Sequence, residues 1–157
     1  MMNGSDNVIK MENISKSYFT EELETWALKG VSLSIERGEF LSINGPSGCG
    51  KSSLLAIMGL LDLPTSGRYI LGEREVDKLG SSELLEARRR EIGFIFQNFN
   101  LMRDLTVYEN IELPLIYRGI TSSYRKRLIE AILDQVCLRH RRDHYPNQLS
   151  GGQQQRV

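Results

Sequence analysis

The chain has 157 residues, of which 40% are hydrophobic and 25% are charged, so it has the size and composition of one globular domain with its own core. Lysine plus arginine and aspartate plus glutamate each number 20, so the composition predicts no basic field that would attract nucleic acid. No apolar run approaches the roughly 20 residues of a membrane span, and the polar N-terminus and two distant cysteines argue against a signal peptide and a disulfide framework.

The first part of the chain has the patterns of β-strands. Strands are predicted at residues 8–11, 31–35 and 40–43. Apolar and polar residues alternate in the second of these segments, which is typical of a half-buried strand. Gly38, within the polar tripeptide 37–39, predicts a turn that leads into the third strand.

The next segment changes to helical periodicity. Residues 50–61 predict a helix that places four apolar side chains on one face, namely Leu54, Leu55, Met58 and Leu61. Residues 69–71 and 75–76 predict a short hairpin around Gly72.

The remainder is predicted to be mostly helical. Ser81 and Ser82 are candidate caps for a helix that continues through Arg90, and the apolar segment 92–96 predicts a buried strand. Further helices are predicted near residues 106–117, 121–137 and 150–157. The order is therefore a β-rich region, a strand–helix step, and a largely helical region.

The strongest local motif is a glycine-rich loop that matches G-x-x-x-x-G-K-[ST]. It consists of Gly45, Pro46, Ser47, Gly48, Cys49, Gly50, Lys51 and Ser52, and it is followed by Ser53. Glycines allow successive backbone N–H groups to turn inward onto phosphate oxygens, and the start of the following helix adds partial positive charge. The loop follows a predicted strand and opens a predicted helix, as this motif requires. The alternative is a glycine-rich turn that merely precedes a lysine.

Two side chains of this loop are candidates for chemistry on a nucleotide. Lys51 can reach the β- and γ-phosphates, and the Ser52 hydroxyl can ligate Mg²⁺. A nucleotide polyphosphate and Mg²⁺ are therefore the expected ligands. Kinases, GTPases, helicases and transporters share such a loop, so it does not select a function by itself.

A second motif makes that selection. It is the pentapeptide Leu149, Ser150, Gly151, Gly152 and Gln153, about 100 residues after the loop. With this spacing the sequence resembles the ABC ATPases, whose signature is LSGGQ. The resemblance implies that the signature contacts ATP held by a second subunit in a head-to-tail dimer. The alternative is a helix N-cap formed by Ser150 beside flexible glycines.

The resemblance extends to two isolated positions. Tyr18 occupies the place of an aromatic residue that stacks on adenine, and the alternative is a structural tyrosine on a strand face. Gln97 matches the glutamine that contacts Mg²⁺ and the attacking water and links the nucleotide to a membrane partner. The alternative for Gln97 is a solvated loop residue. Lys51 and Gln97 are thus the candidate catalytic residues, and Ser52 and Gln97 the candidate metal ligands.

The resemblance also implies the architecture and the partners. The expected fold is an α/β P-loop core with an antiparallel β portion and an inserted helical subdomain, forming one incomplete domain over residues 1–157. The core is expected to span about 1–97, and the helical subdomain about 98–157. An integral membrane transporter subunit is the expected partner, which would place the protein in the cytoplasm at the inner face of the membrane.

The resemblance further indicates a branch of the family and leaves two alternatives open. Residues 20–30, 45–48 and 113–119 resemble the lipoprotein-release, macrolide-export and cell-division branch. One alternative is a soluble ABC-type ATPase of translation or DNA repair, although such proteins usually carry two cassettes or long coiled-coil insertions. The other is a non-catalytic nucleotide-binding fragment.

Residues that complete catalysis in this family follow the signature. They are an aspartate linked to Mg²⁺, a catalytic glutamate and a histidine at the γ-phosphate, and none of them is found within the 157 residues. We therefore expect that the chain as written does not hydrolyse ATP. We also expect that it is not a stable monomer, because the strand at 40–43 would lack its neighbours.

Overall fold

The computed structural model describes residues 7–20 and 23–157, which form two compact units, Met1–Gly93 and Phe94–Val157. The strands are β1 (Asn7–Thr20), β2 (Leu23–Glu36), β3 (Ser66–Leu71) and β4 (Arg74–Glu75). The helices are α1 (Lys51–Met58), α2 (Ser81–Glu91), α3 (Val107–Tyr117), α4 (Ser122–Gln135) and α5 (Gly151–Arg156). Part of the N-terminus and residues 21–22 of the branch-typical segment 20–30 lie outside the described residues.

The first unit is built on one antiparallel sheet with strand order β2-β1-β3-β4. Strands β1 and β2 form a long ladder that includes both predicted strands 8–11 and 31–35. The sequence did not predict that β2 begins as early as Leu23. Leu23 and Trp26, the large apolar residues in its first part, are exposed. Two polar residues separate them, so the sequence here does not show the strict alternation that marks a half-buried strand.

The β1–β2 ladder contains an irregularity that positions the later site. Lys16 pairs with Leu28, whereas the next residue, Ser17, pairs with Trp26. Ala27 is therefore an extra residue on β2, as in a β-bulge, and such bulges re-aim the local backbone. The predicted hairpin around Gly72 is also present, and Gly72 has a φ of 59°, which glycine adopts readily.

Helix α1 packs on the sheet through a face that includes only two of the four predicted residues, Leu54 and Met58. Leu54 and Ile57 are buried, together with Leu60 just after the helix. The helix ends at Met58, and Leu55 and Leu61 are 52% and 49% exposed, so the prediction of a common buried face for them was wrong. The 3.6-residue period does not by itself say which of two adjacent leucines meets the sheet.

The predicted strands 40–43 and 92–96 were also wrong. Within residues 7–20 and 23–157, neither segment pairs with any strand. Phe40 is 94% exposed and Ile95 is 90% exposed, so apolar composition did not lead to burial in this structure. A strand needs a partner for its N–H and C=O groups, and the four-stranded sheet provides none for these segments.

Helix α2 begins after Gly80 rather than at a serine cap. The Gly80 N–H donates to Glu83 Oε2 at 2.9 Å, so the acidic side chain of the first turn takes the place of the predicted Ser81 or Ser82 cap. The basic residues at its end have local partners, since Arg88 donates to Leu60 O and Arg90 pairs with Glu86. These two arginines at the end of α2 are therefore bonded to groups of the same unit.

The second unit contains the three predicted helices near 106–117, 121–137 and 150–157. Its core consists of Val107, Ile129, Leu133, Leu138 and Leu149. The Thr106 hydroxyl caps α3 by accepting from Glu109 N at 3.2 Å, and Glu109 Oε2 accepts from Thr106 N at 2.7 Å. This reciprocal capping box satisfies N–H groups that the first turn leaves unpaired. No helix in the described ranges is long and apolar enough to cross a membrane.

Tyr69 provides a test of how α1 is fixed to the sheet. Its buried hydroxyl donates to Met58 O at 2.6 Å, and burial raises the pKa of the phenol above its ordinary range. We expect Tyr69→Phe to lower the free energy of unfolding by about 1–2 kcal/mol, because it leaves the half-buried Met58 carbonyl without this donor. Urea unfolding measures the change. Tyr124→Phe at a 47% exposed position is the control, and equal losses in the two variants would contradict this account.

Candidate functional site

The predicted phosphate loop leads directly into α1, and its three glycines, Gly45, Gly48 and Gly50, all have positive φ angles. Gly48 has a φ of 80° and Gly50 a φ of 93°. A Cβ at Gly50 would lie 2.3 Å from Ala27 O, a distance too short for any side chain at this position. Gly50 is thus required both by its conformation and by its contact with the bulge of β2.

The Lys51 ammonium group lies inside this loop. Its Nζ donates to Pro46 O at 2.6 Å and to Gly45 O at 2.9 Å, and it lies 3.7 Å from Cys49 Sγ. The first turn of α1 contains no acidic side chain that would compete for this charge. A lysine ammonium that is held by loop carbonyls at the start of a helix is suited to bind an anion with several oxygens, such as a polyphosphate.

Two hydroxyl groups follow Lys51 in the first turn of α1. Ser52 is exposed and Ser53 is half-buried. Hydroxyl oxygen is a hard ligand of the kind that Mg²⁺ accepts, usually together with phosphate oxygens and water. Within the part of the chain that the structure describes, no group of three His, Cys, Asp or Glu residues could hold a metal. The exposed Ser52 hydroxyl fits one ligand position of a magnesium ion.

Tyr18 lies on β1 close to the level of the phosphate loop. Ala27 of β2 lies against Gly50 and forms the bulge opposite Lys16 and Ser17 of β1. Tyr18 follows Ser17 on β1. The Tyr18 side chain is 42% exposed, and its hydroxyl donates to Asp62 Oδ2 at 3.0 Å. The strand pair that meets the loop at Ala27 therefore also carries the predicted base-stacking residue.

Asp62 and Lys16 are residues of this site that the sequence did not predict. Lys16 Nζ donates to Asp62 Oδ1 at 2.6 Å and lies 5.1 Å from the centre of the Tyr18 ring. Burial raises the pKa of Asp62, but hydrogen bonds from Lys16, Leu63 N and Tyr18 outweigh it and leave the pKa below its usual value. No motif marks Asp62, since it is separated from Lys16 by 46 positions and only the fold joins them.

The other predicted site residues belong to the second unit. Gln97 has an exposed side chain and begins a turn with Asn98. The two residues after this turn, Phe99 and Asn100, have positive φ angles of 59° and 53°. Such conformations are uncommon for residues other than glycine and mark a constrained loop. The Phe99 ring lies 3.8 Å from the Cβ position of Gly151, so this loop contacts the signature.

The signature itself forms a capped helix start. Leu149 is buried in the core of the unit, while Gly151 and Gly152 are exposed. Ser150 Oγ accepts from Gln153 N at 3.3 Å, and Gln153 Oε1 accepts from Ser150 N at 2.9 Å. Leu149 therefore fixes the segment, and the two exposed glycines leave its backbone open to an approaching molecule.

Comparison with known proteins identifies the family. The ABC transporter profile matches residues 28–157. The chain therefore belongs to the ABC transporter family. It is 47% identical over 150 residues to an uncharacterized ABC transporter ATP-binding protein of Thermotoga maritima, covering 96% of this chain and 64% of that protein. It is 51% identical to the macrolide export ATP-binding/permease protein MacB of Bdellovibrio bacteriovorus, over 96% of this chain and 23% of that protein.

Solved structures give the same result for the fold. A dimeric post-hydrolysis state of the ATP-binding cassette MJ0796, bound to ADP and Pi, superposes with a TM-score of 0.85 at 45% identity. MJ0796 is a protein of Methanocaldococcus jannaschii. The match covers 94% of this chain and 66% of that one, so the chain spans just under two thirds of this relative's length. The fold is that of a P-loop ATP-binding cassette with its antiparallel β portion and helical subdomain.

The contact between Gly50 and Ala27 generates a prediction about stability. We expect Gly50→Ala to lower the free energy of unfolding more than Gly48→Ala does. Both changes place a side chain at positive φ, at a cost of about 1–2 kcal/mol. Only the change at Gly50 also drives a Cβ into the β2 backbone, since no atom lies within 4 Å of a Cβ at Gly48. Urea unfolding of both variants measures the difference, and equal midpoints would refute the contact.

Proposed function

We propose that the chain is the ATP-binding part of an ABC transporter subunit, which binds MgATP and couples its binding and hydrolysis to work by a membrane partner. The observation that carries the proposal is the Lys51 ammonium group held within a glycine loop at the start of α1. Carbonyl oxygens of the loop accept its hydrogen bonds. Phosphate oxygens are stronger acceptors for the same donors.

Each residue of the site has a proposed role in this function. The loop 45–53 binds the phosphates, Lys51 contacts the β- and γ-phosphates, and Ser52 is one of the protein's two ligands to Mg²⁺. Tyr18 offers its exposed ring to the adenine base. Gln97 contacts the metal and the attacking water, a role supported by the motif match and by the constrained loop that follows it.

A second copy and a membrane protein are the proposed partners. The related cassette MJ0796 is described as dimeric, and the related MacB proteins are described as ATP-binding/permease proteins. We propose that the signature residues 149–153 of this chain close over ATP bound to the loop of the second copy. The exposed backbone at Gly151 and Gly152 supports this role. The proposed location is the cytoplasm, at the inner face of the membrane.

Hydrolysis requires groups beyond those assigned within residues 1–157. Positioning and electrostatics supply nearly all of the catalysis in phosphoryl transfer, and the family's Mg²⁺-linked aspartate and catalytic glutamate have no counterpart assigned in this sequence. We therefore propose that the assigned residues bind and orient the nucleotide and that they do not by themselves polarise the attacking water.

Lys51 provides the direct test of nucleotide binding. We expect Lys51→Ala to weaken MgATP binding at least tenfold, because hydrogen bonds to charged groups contribute about 1.5–3 kcal/mol. Titration calorimetry measures the dissociation constant. Lys78→Ala removes an exposed lysine of the same unit that pairs with Glu75, and it should leave binding unchanged. Unchanged affinity in Lys51→Ala would show that the loop does not bind the phosphates.

The two cysteines provide a second test with an internal control. Cys49 lies in the phosphate loop and Cys137 follows α4, and both are exposed. We expect MgATP to protect Cys49 from a thiol-alkylating reagent, because the bound triphosphate covers the loop, and to leave the labelling of Cys137 unchanged. Mass spectrometry of the labelled peptides gives both rates. Equal labelling of Cys49 with and without MgATP would count against binding in this loop.

A further inference from the structure

The Tyr18 ring is held by contacts from two directions. Its hydroxyl donates to Asp62 Oδ2 at 3.0 Å, which fixes the outer end of the ring. The Lys16 ammonium lies 5.1 Å from the ring centre, within the range of a cation–π contact. A tyrosine that is 42% exposed on a strand would otherwise be free to change rotamer.

The residues that hold the ring are themselves fixed. Lys16 Nζ bridges Asp62 Oδ1 at 2.6 Å and Leu63 O at 2.8 Å, and Leu63 N donates to the same Asp62 oxygen at 2.8 Å. The Lys16 and Asp62 side chains are 13% and 31% exposed, so solvent screens their ion pair less than a surface pair. The hydrogen bonds of Asp62 keep its pKa below the ordinary value, which leaves the carboxylate ionised at neutral pH.

The segment that carries Asp62 is attached to β1 by backbone contacts. Thr65 N donates to Ser15 O at 2.8 Å, and Ser17 N donates to Thr65 Oγ1 at 3.0 Å. The segment follows α1, the helix that begins with the phosphate loop. Asp62 thus connects the strand that carries the ring to the far end of the helix that carries the loop.

We propose that Lys16 and Asp62 are positioning residues for base recognition, which hold the Tyr18 ring in one orientation so that its exposed face is ready to stack on the purine. The inference rests on the proposed binding of ATP and on Tyr18 as the stacking residue. Binding loses affinity when it must immobilise a side chain, and a ring fixed beforehand avoids that loss. The ion pair therefore acts on affinity for the base and leaves affinity for the triphosphate unaffected.

A purely structural role predicts a different outcome. If Lys16 and Asp62 only attached the segment after α1 to the sheet, their loss would loosen α1 and its phosphate loop. Binding of ATP and of inorganic tripolyphosphate would then weaken together, and thermal stability would fall. A positioning role changes the ratio of the two affinities. That ratio is the quantity to measure.

The experiment compares MgATP with magnesium tripolyphosphate by titration calorimetry in the 157-residue chain. The variants are Tyr18→Phe, Asp62→Asn, Lys16→Met and the pair Tyr18→Phe with Asp62→Asn. Tyr18→Phe keeps the ring and removes only its hydrogen bond, so we expect MgATP binding to weaken about threefold to tenfold with tripolyphosphate binding unchanged. Lys10→Met, which breaks the exposed Lys10–Glu12 pair on the same strand, is the control and should change neither affinity.

The double variant separates positioning from other effects. If Asp62 acts through the Tyr18 hydroxyl, Asp62→Asn should cost less in the Tyr18→Phe background than alone. Additive losses, or equal losses for the two ligands, would overturn the inference. Tyr18→Phe alone decides the question if the variants at Asp62 or Lys16 do not fold.

Tyr18→Ala distinguishes failure of this inference from failure of the proposed function. Loss of MgATP affinity in Tyr18→Ala without any loss in Tyr18→Phe would leave stacking intact and refute positioning. A Tyr18→Ala variant that binds MgATP as tightly as the unchanged chain would refute stacking, and with it the inference. Absence of binding of either ligand to the unchanged chain would refute the proposed function itself.

Discussion

The contact between Gly50 and the Ala27 carbonyl is the constraint on which the rest of the site depends. Gly50 has a φ of 93°, and a Cβ there would lie 2.3 Å from the carbonyl oxygen, so the start of α1 can approach β2 only at a residue without a side chain. This approach brings the phosphate loop beside the strand pair that carries Tyr18. One close backbone contact therefore sets the position of the loop relative to the strand pair that carries Tyr18.

Local signals were sufficient for most helices but not for two of the predicted strands. The starts of α3 and α5 depend on caps at Thr106 and Ser150, which bond within three residues and can be read from the sequence. The segments 40–43 and 92–96 have the composition of strands, but a strand also needs a partner, which composition cannot supply. The early part of β2 was missed for the opposite reason, because its exposed Trp26 and Leu23 do not alternate with polar residues.

The candidate site divides in the same way. The residues from Gly45 to Ser53 are contiguous, so their spacing alone predicted the loop and the helix that follows it. Lys16 and Asp62 are 46 positions apart and carry no motif, and only the packing of β1 against the segment after α1 joins them. A candidate site formed by a continuous motif was therefore predictable, whereas contacts between residues far apart in the sequence required the structure.

The central claim is that the glycine loop and the start of α1 bind the triphosphate through their backbone N–H groups. Two-dimensional amide NMR spectra of the chain, recorded during titration with MgATP, test this residue by residue. The account predicts that the largest shifts occur at the amides of Gly48, Gly50, Lys51 and Ser52, with smaller shifts at the amides around Tyr18. Saturating shifts confined to other parts of the chain, with these amides unmoved, would contradict it.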